Sequence, residues 1–278
     1  MSHALGSLWV RVARWLGCLS VLVVLSSCTG EPLADNGRTG LAALFGPDVR
    51  AREEGAFGLD RWSEVGVSDA DLPQRALRVH YPAGSVSPSA TREYGTPGGG
   101  MQVYLPGVEG ARDEAYLRYW VSFPPDFDFV KGGKLPGLWG GSAVSGGEEP
   151  DGTNGFSTRL MWRADGAGEV YLYAPGESGT TLGRGDWTWP TGAWTCVEQR
   201  VVLNDPDSDN GEVTVWLDGT EVFSKTDLIY RTVDTLKIEG IFFSTFFGGA
   251  DPSWAPARDQ YADFAGFELS KTRIGCER

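Results

Sequence analysis

A single all-β domain, a jelly roll or sandwich of two antiparallel sheets, is the fold that this 278-residue sequence predicts. Three observations lead there. Short runs rich in β-branched and aromatic residues alternate with turn residues along most of the chain, glycine occurs 39 times, and no long amphipathic helical pattern interrupts them. One such domain absorbs roughly 200 residues or more, so no second domain is required. There is no internal repeat.

Taken in order, the chain opens with Arg11 and Arg14, then an apolar run over 21–25 that ends in Leu25-Ser26-Ser27-Cys28. A basic start, an apolar centre and small residues before a cleavage point describe a secretory signal rather than a membrane span. The ending resembles a bacterial lipobox, which implies a signal peptide over 1–27 and lipidation of the Cys28 thiol. An ordinary signal peptide with an incidental cysteine is the alternative. The expectation is a protein exported to the bacterial cell envelope, at the outer membrane or cell surface, or released from it, whose only membrane contact is that lipid. Residues 28–60 read as a tether with one short helix around 39–45, and 61–278 as the folded domain.

Within that domain the runs 76–81, 101–105, 115–123, 156–163, 169–173, 195–203, 212–217, 235–243 and 262–269 read as strands. Asp218-Gly219 between two such runs marks a hairpin over 213–223. The acidic stretch 204–211 has its glycine one place late for a calcium loop and Trp216 where a closing glutamate belongs, so it reads as a solvated connection.

The formal net charge is −13, and removal of 1–27 leaves 22 basic against 37 acidic groups, a net −15. Such a surface repels nucleic acid. Past the signal, His80 is the one histidine, which argues against a multi-histidine zinc site and leaves a Ser-His-Asp triad a single candidate. Cys196 and Cys276 remain beyond the signal and Cys28. Export permits a disulfide between them, and two separate thiols are the alternative.

The stretch "FSTRLMWRADGAGEVYLY" over 156–173 raises the chemistry. Alternation sets Ser157, Arg159, Met161 and Arg163 on one face of the first strand, and Glu169, Tyr171 and Tyr173 on one face of the second. The two faces coincide only if the hairpin loop has an odd number of residues. A five-residue loop over 164–168 puts Arg159 opposite Tyr173 and Met161 opposite Tyr171. Arginine, serine and tyrosine on one sheet face are poor core material, because an unpaired buried guanidinium is costly. A solvated outer face is the alternative. Upstream, Lys134 lies in "FVKGGKLPGLWGG", where glycine allows close approach of a ligand.

These segments together, with "IEGIFFSTFFGGADPSWAP" and "YADFAGFEL" further on, resemble polysaccharide lyase family 14 and its glucuronan- and alginate-lyase relatives, over roughly 76–269. The resemblance implies a β-jelly roll that cuts an acidic polysaccharide on a concave sheet face. It implicates Lys134, Ser157, Arg159, Tyr171 and Tyr173 as catalytic. The chemistry agrees: removing the C5 proton of a 4-linked uronate needs cations and donors on the adjacent carboxylate, then a base and an acid. Lys134, Arg159 and Ser157 suit the carboxylate; tyrosine suits the proton transfers if a neighbouring cation lowers its pKa. No metal or other cofactor is expected. Lys131, Arg163, Arg78, Trp139, Tyr104, Trp254 and His80 are candidates for binding the sugar chain, with Phe247 as a further stacking residue, and a monomer is expected. A glycoside hydrolase on the same fold and a surface-anchored carbohydrate-binding protein are the competing functions.

Overall fold

Alternating apolar residues and glycine-marked turns give two seven-stranded antiparallel sheets in the computed structural model, which describes residues 38–69 and 72–276. The expected signal over 1–27 and Cys28 lie outside the described residues. In chain order the elements are α1 (Arg38–Leu44), β1 (Arg52–Phe57), β2 (Trp62–Gly66), β3 (Arg75–Tyr81), α2 (Pro88–Tyr94), β4 (Met101–Pro106), β5 (Glu114–Ser122), β6 (Gly132–Gly141) and β7 (Gly155–Arg163). Then follow β8 (Gly168–Ala174), β9 (Glu177–Leu182), β10 (Trp194–Val202), β11 (Gly211–Leu217), β12 (Thr220–Leu228), β13 (Gly240–Thr245) and β14 (Gln260–Ser270). The first sheet has the order β1-β4-β13-β6-β7-β8-β9, and the second β12-β11-β10-β5-β14-β3-β2.

The core lies between the sheets. Leu135, Leu138, Leu160, Trp162, Val170, Leu172, Ile241 and Phe243 point inward from the first sheet, against Leu117, Tyr119, Val121, Val197, Val213, Val215 and Phe264 from the second. The period-2 alternation of β7 and β8 therefore sends Ser157, Arg159, Met161, Tyr171 and Tyr173 to the opposite, outer face.

β6 was legible only as a glycine-rich segment, and its glycines are packing requirements. A Cβ at Gly133 would lie 2.0 Å from the Trp162 ring, and one at Gly137 would lie 2.1 Å from the Thr158 carbonyl oxygen. Pro136 sits at a bulge between Leu135 and Gly137, where the pairing with β7 shifts. The second sheet satisfies the backbone groups that the bulge releases. Gln199 Oε1 accepts from Leu138 N at 3.2 Å, and Tyr119 OH donates to the Pro136 carbonyl at 3.3 Å.

The β7–β8 hairpin differs from the expected register by two residues. Ser157 pairs with Tyr173, Arg159 with Tyr171 and Met161 with Glu169. The loop is three residues, Ala164 to Gly166, closed by a 2.7 Å bond from Arg163 N to the Ala167 carbonyl. Asp165 and Gly166 adopt φ of 58° and 77°, which lets so short a loop reverse the chain. An odd loop keeps the two faces matched, so the shift changes which residues are neighbours and not which face they share.

Two further expectations need correction, and two strands were missed. The tether expected over 28–60 contributes to the domain from residue 38: Leu41, Leu44 and Phe45 enter the core, and β1 pairs with β4 at the edge of the first sheet. β2 and β9 carry too few large apolar residues to stand out in the sequence. The run 235–243 becomes a strand only from Gly240. The Asp218-Gly219 hairpin joins β11 to β12, with both turn residues at positive φ. Cys196 and Cys276 are joined in a disulfide, and Glu198 beside Cys196 accepts from Ile274 N at 2.7 Å, so the C-terminal segment is held twice.

Candidate active site

The outer face of the first sheet carries a cleft of about 640 Å³, lined by Lys134, Arg159, Tyr171, Tyr173 and Gln102 on its floor. Its walls are Gly55 and Phe57 from β1, Ser87, Ser89 and Arg92 at α2, the segment Ser145 to Gly147, and Phe246 with Gly248 and Gly249. No aspartate or glutamate lines it among the described residues.

Adjacent strands deliver the floor. Lys134 on β6 is the register partner of Met161 on β7, and Arg159 two residues away is the partner of Tyr171 on β8. Lys134 is 8% exposed; its Nζ donates to Met161 Sδ at 2.9 Å and stands 3.5 Å from the centre of the Tyr171 ring. Arg159 is 3% exposed, donates from Nη1 to Ser244 Oγ at 3.3 Å and lies over the Phe242 ring at 4.7 Å. It reaches that far because its β6 partner is Gly137, which puts no side chain between them. Thus two buried basic side chains face one cleft with a thioether, a hydroxyl and aromatic rings as partners, and with no carboxylate bonded to either among the described residues.

The electrostatics follow from burial. Desolvation, and then the nearby charges of Arg159 and Arg163, hold the Lys134 amine well below the ordinary lysine pKa. Desolvation also lowers Arg159. Tyr171 is pushed up to about 12, first by burial and then by its bond and charge interaction with Tyr173; Arg159 and Arg163 pull the other way without prevailing. The expected lowering of a tyrosine by Arg159 is therefore outweighed. Tyr171 is only part-buried, its hydroxyl is 3.4 Å from that of Tyr173, and the more deeply set Tyr173 accepts from Gly147 N at 3.1 Å.

Several expected residues lie elsewhere. Ser157 is fully buried and donates to the Val144 carbonyl at 2.7 Å, so it braces the segment that covers Tyr173 and does not reach the cleft. Trp139 and Tyr104 pack on each other and on Phe242 within the wall, with Arg52 over both rings, and Trp139 is fully buried. Phe247 belongs to the core. Arg163 pairs with the buried Glu169 at 2.5 Å, shares it with Arg184, and stands 5.7 Å from the Trp254 ring; Lys131 donates to Ser253 Oγ at 2.6 Å nearby. Of the expected residues, Arg163, Trp254 and Lys131 thus do not line the cleft. Arg78 and His80 alternate outward from β3 in the second sheet, bonded to Asp263 and Ser63, on the far side of the sandwich.

Residues missed from sequence are Gln102, Ser244 and Arg92. Gln102 interrupts an apolar strand, and that was a usable signal. Arg92 stands on a seven-residue helix with no periodic pattern to reveal it.

The family model described as Polysaccharide lyase 14 matches residues 69–267. Among solved structures, the marine PL-14 alginate lyase from Aplysia kurodai is 30% identical with a TM-score of 0.70, over 82% of this chain and 92% of that one. An alginate lyase from Chlorella virus is 21% identical with a TM-score of 0.67, over 84% and 97% of the two chains. An endo-beta-1,4-glucuronan lyase from the fungus Trichoderma reesei is 12% identical with a TM-score of 0.52, over 82% and 92%. The last two show likeness of fold alone. No curated protein matches the sequence.

Proposed function

The chain belongs to polysaccharide lyase family 14 and is a polyuronate lyase, and we propose that it cleaves 4-linked alginate by a metal-independent β-elimination in the cleft. One observation carries the reading: among the described residues Lys134 and Arg159 are buried basic groups without a carboxylate partner, set beside Tyr171 on the cleft floor. A uronate supplies the missing carboxylate. Alginate is the first choice of polymer because the 30% identical relative is an alginate lyase.

In this reading Arg159 neutralises the carboxylate next to C5 and stabilises the enolate that forms as the C5 proton leaves. The depressed pKa of Lys134 makes its free amine the acceptor of that proton. Tyr171, kept protonated by its raised pKa, donates to the departing O4. The C5–H and C4–O4 bonds break, a C4=C5 double bond forms, and the proton on Lys134 returns to Tyr171 across the short distance between them. This divides the roles differently from the sequence expectation, which gave both transfers to tyrosines. Arg159 supplies the positive charge that a metal would otherwise bring to the carboxylate.

Two-carboxylate hydrolysis is disfavoured, since it needs paired acids flanking one sugar bond and no carboxylate lines this cleft among the described residues. The test is a panel of pure alginate and glucuronan with chelator-treated enzyme, following the ultraviolet band of the unsaturated uronate together with new reducing ends. Alginate should give both signals in equal amounts with chelator present. Reducing ends without the band, or loss of activity restored by added metal, would refute the reading.

A further inference from the structure

Among the described residues Arg159 makes one hydrogen bond from its guanidinium, to Ser244, and its buried Nε has no partner. A cation with so little direct restraint needs its single acceptor held in place. Ser244 on β13 is the register partner of Gln102 on β4, and its Oγ donates to Gln102 Oε1 at 3.1 Å. A serine hydroxyl has one proton, so with that proton on Gln102 its lone pairs are left for Arg159. The Gln102 amide is fixed in turn: Nε2 donates to the Gly55 carbonyl at 3.0 Å and to Tyr104 OH at 3.3 Å. The reverse orientation of the amide would set Oε1 against a carbonyl oxygen, which only accepts. A chain of contacts thus runs from β1 through Gln102 and Ser244 to the cation of the site.

We propose that Gln102 and Ser244 are positioning residues that aim the Arg159 guanidinium at the substrate carboxylate, with the β1 backbone at Gly55 as their anchor. The proposal rests on the elimination reading. Gln102 borders the cleft, but its amide donors and acceptor are engaged with the protein, so its part is to orient Arg159. Ser244 is fully buried and acts only through its neighbours. The sequence relation is simple: Met101-Gln102-Val103-Tyr104 alternates, so Gln102 shares the outer face with Tyr104 and is placed beside whatever β13 presents.

The test uses Gln102→Ala, Ser244→Ala, the double variant and Gln102→Glu, each checked for an unchanged melting curve. Each alanine variant should lower kcat/KM on alginate about tenfold, the effect of losing a bond to a charged group. The double variant should fall no more than about threefold below the weaker single variant, because both cut one chain. Gln102→Glu should raise KM further than Gln102→Ala, since the new carboxylate competes with substrate for Arg159. A readout free of catalysis is the NMR signal of Arg159 Nε–H, assigned by its loss in Arg159→Lys; it should move in both alanine variants. Losses that multiply in the double variant, or an Arg159 signal unmoved by Gln102→Ala, overturn the relay. If wild-type protein forms no unsaturated product from any polyuronate while the Arg159 signal still moves, the functional reading fails and the relay stands.

Discussion

Lys134 destabilises the fold that it serves. Its ammonium is buried beside Arg159 with a thioether and a ring as partners, and its pKa lies well below the ordinary lysine value. Between that lowered pKa and about 10.4 the unfolded chain binds more protons than the folded one, so stability rises with pH through this window. Lys134→Met should therefore raise stability at neutral pH by about 0.5–2 kcal/mol, a gain that shrinks as pH approaches 10, while kcat falls by about 10²–10⁴-fold. Urea melts at several pH values beside initial rates check both; a variant that is less stable at pH 7 would contradict the account. In wild type, kcat/KM should climb with pH as Lys134 loses its proton, below the pH at which an exposed lysine titrates. At this scale the polar residues of alternating strands were readable: Arg159, Tyr171 and Tyr173 share the cleft with Lys134, which the family resemblance implicated. Ser157, Trp139 and Tyr104 share its sheet face, but strand alternation carries no signal of the segment around Val144, nor of the packing of rings beside it, that buries them. Arg78 and His80 alternate just as cleanly, on the wrong sheet.

Among the elements, β6 does the most to build the site, and its composition hid it. Glycine and proline argue against a central strand in general, yet here Gly133 makes room for Trp162 and Gly137 for the β7 backbone. Gly137→Ala would place a Cβ 2.6 Å from the Arg159 Cα, forcing β6 and β7 apart. The expected cost is about 1–3 kcal/mol of stability, with a lower kcat/KM from the displaced guanidinium. Gly66→Ala is the control, since an added Cβ there meets nothing within 4 Å, and it should change stability by no more than about 0.5 kcal/mol. Equal melting curves for the two variants would refute this role for Gly137. The β7–β8 hairpin illustrates the limit of pattern reading. Parity followed from the need to match two faces, whereas the choice between three and five loop residues depended on Asp165 accepting a positive φ.

Over the whole molecule, an acidic chain keeps its cleft floor free of acidic side chains. The formal charge is −13, yet Lys134, Arg159 and Arg92 face the cleft and no carboxylate lines it among the described residues. Outside the cleft, arginines such as Arg75, Arg78, Arg200 and Arg231 are tied to acids, and their charge does not reach a polyanion in the same way. The disulfide joins Cys196 on the second sheet to Cys276, 80 residues further on, away from the cleft face. Replacing both by serine should cost about 2–4 kcal/mol while leaving kcat/KM of the folded protein within about twofold of wild type; a large loss of activity at full folding would show a coupling that the geometry does not contain. Two-sheet architecture was legible because alternation and turn chemistry recur along the chain. The short helix expected around 39–45 is α1, but its place in the domain, and β1 with it, were not legible, because both are short and gain their stability from the sheets they join.

The central claim is that a buried, carboxylate-free arginine, a lysine amine of lowered pKa and a tyrosine cut a polyuronate by elimination. Mass spectrometry of the oligosaccharides released from alginate tests it most directly. Every new non-reducing end should be one water lighter than a hydrolytic end, and products bearing the full water at both new ends would contradict the account.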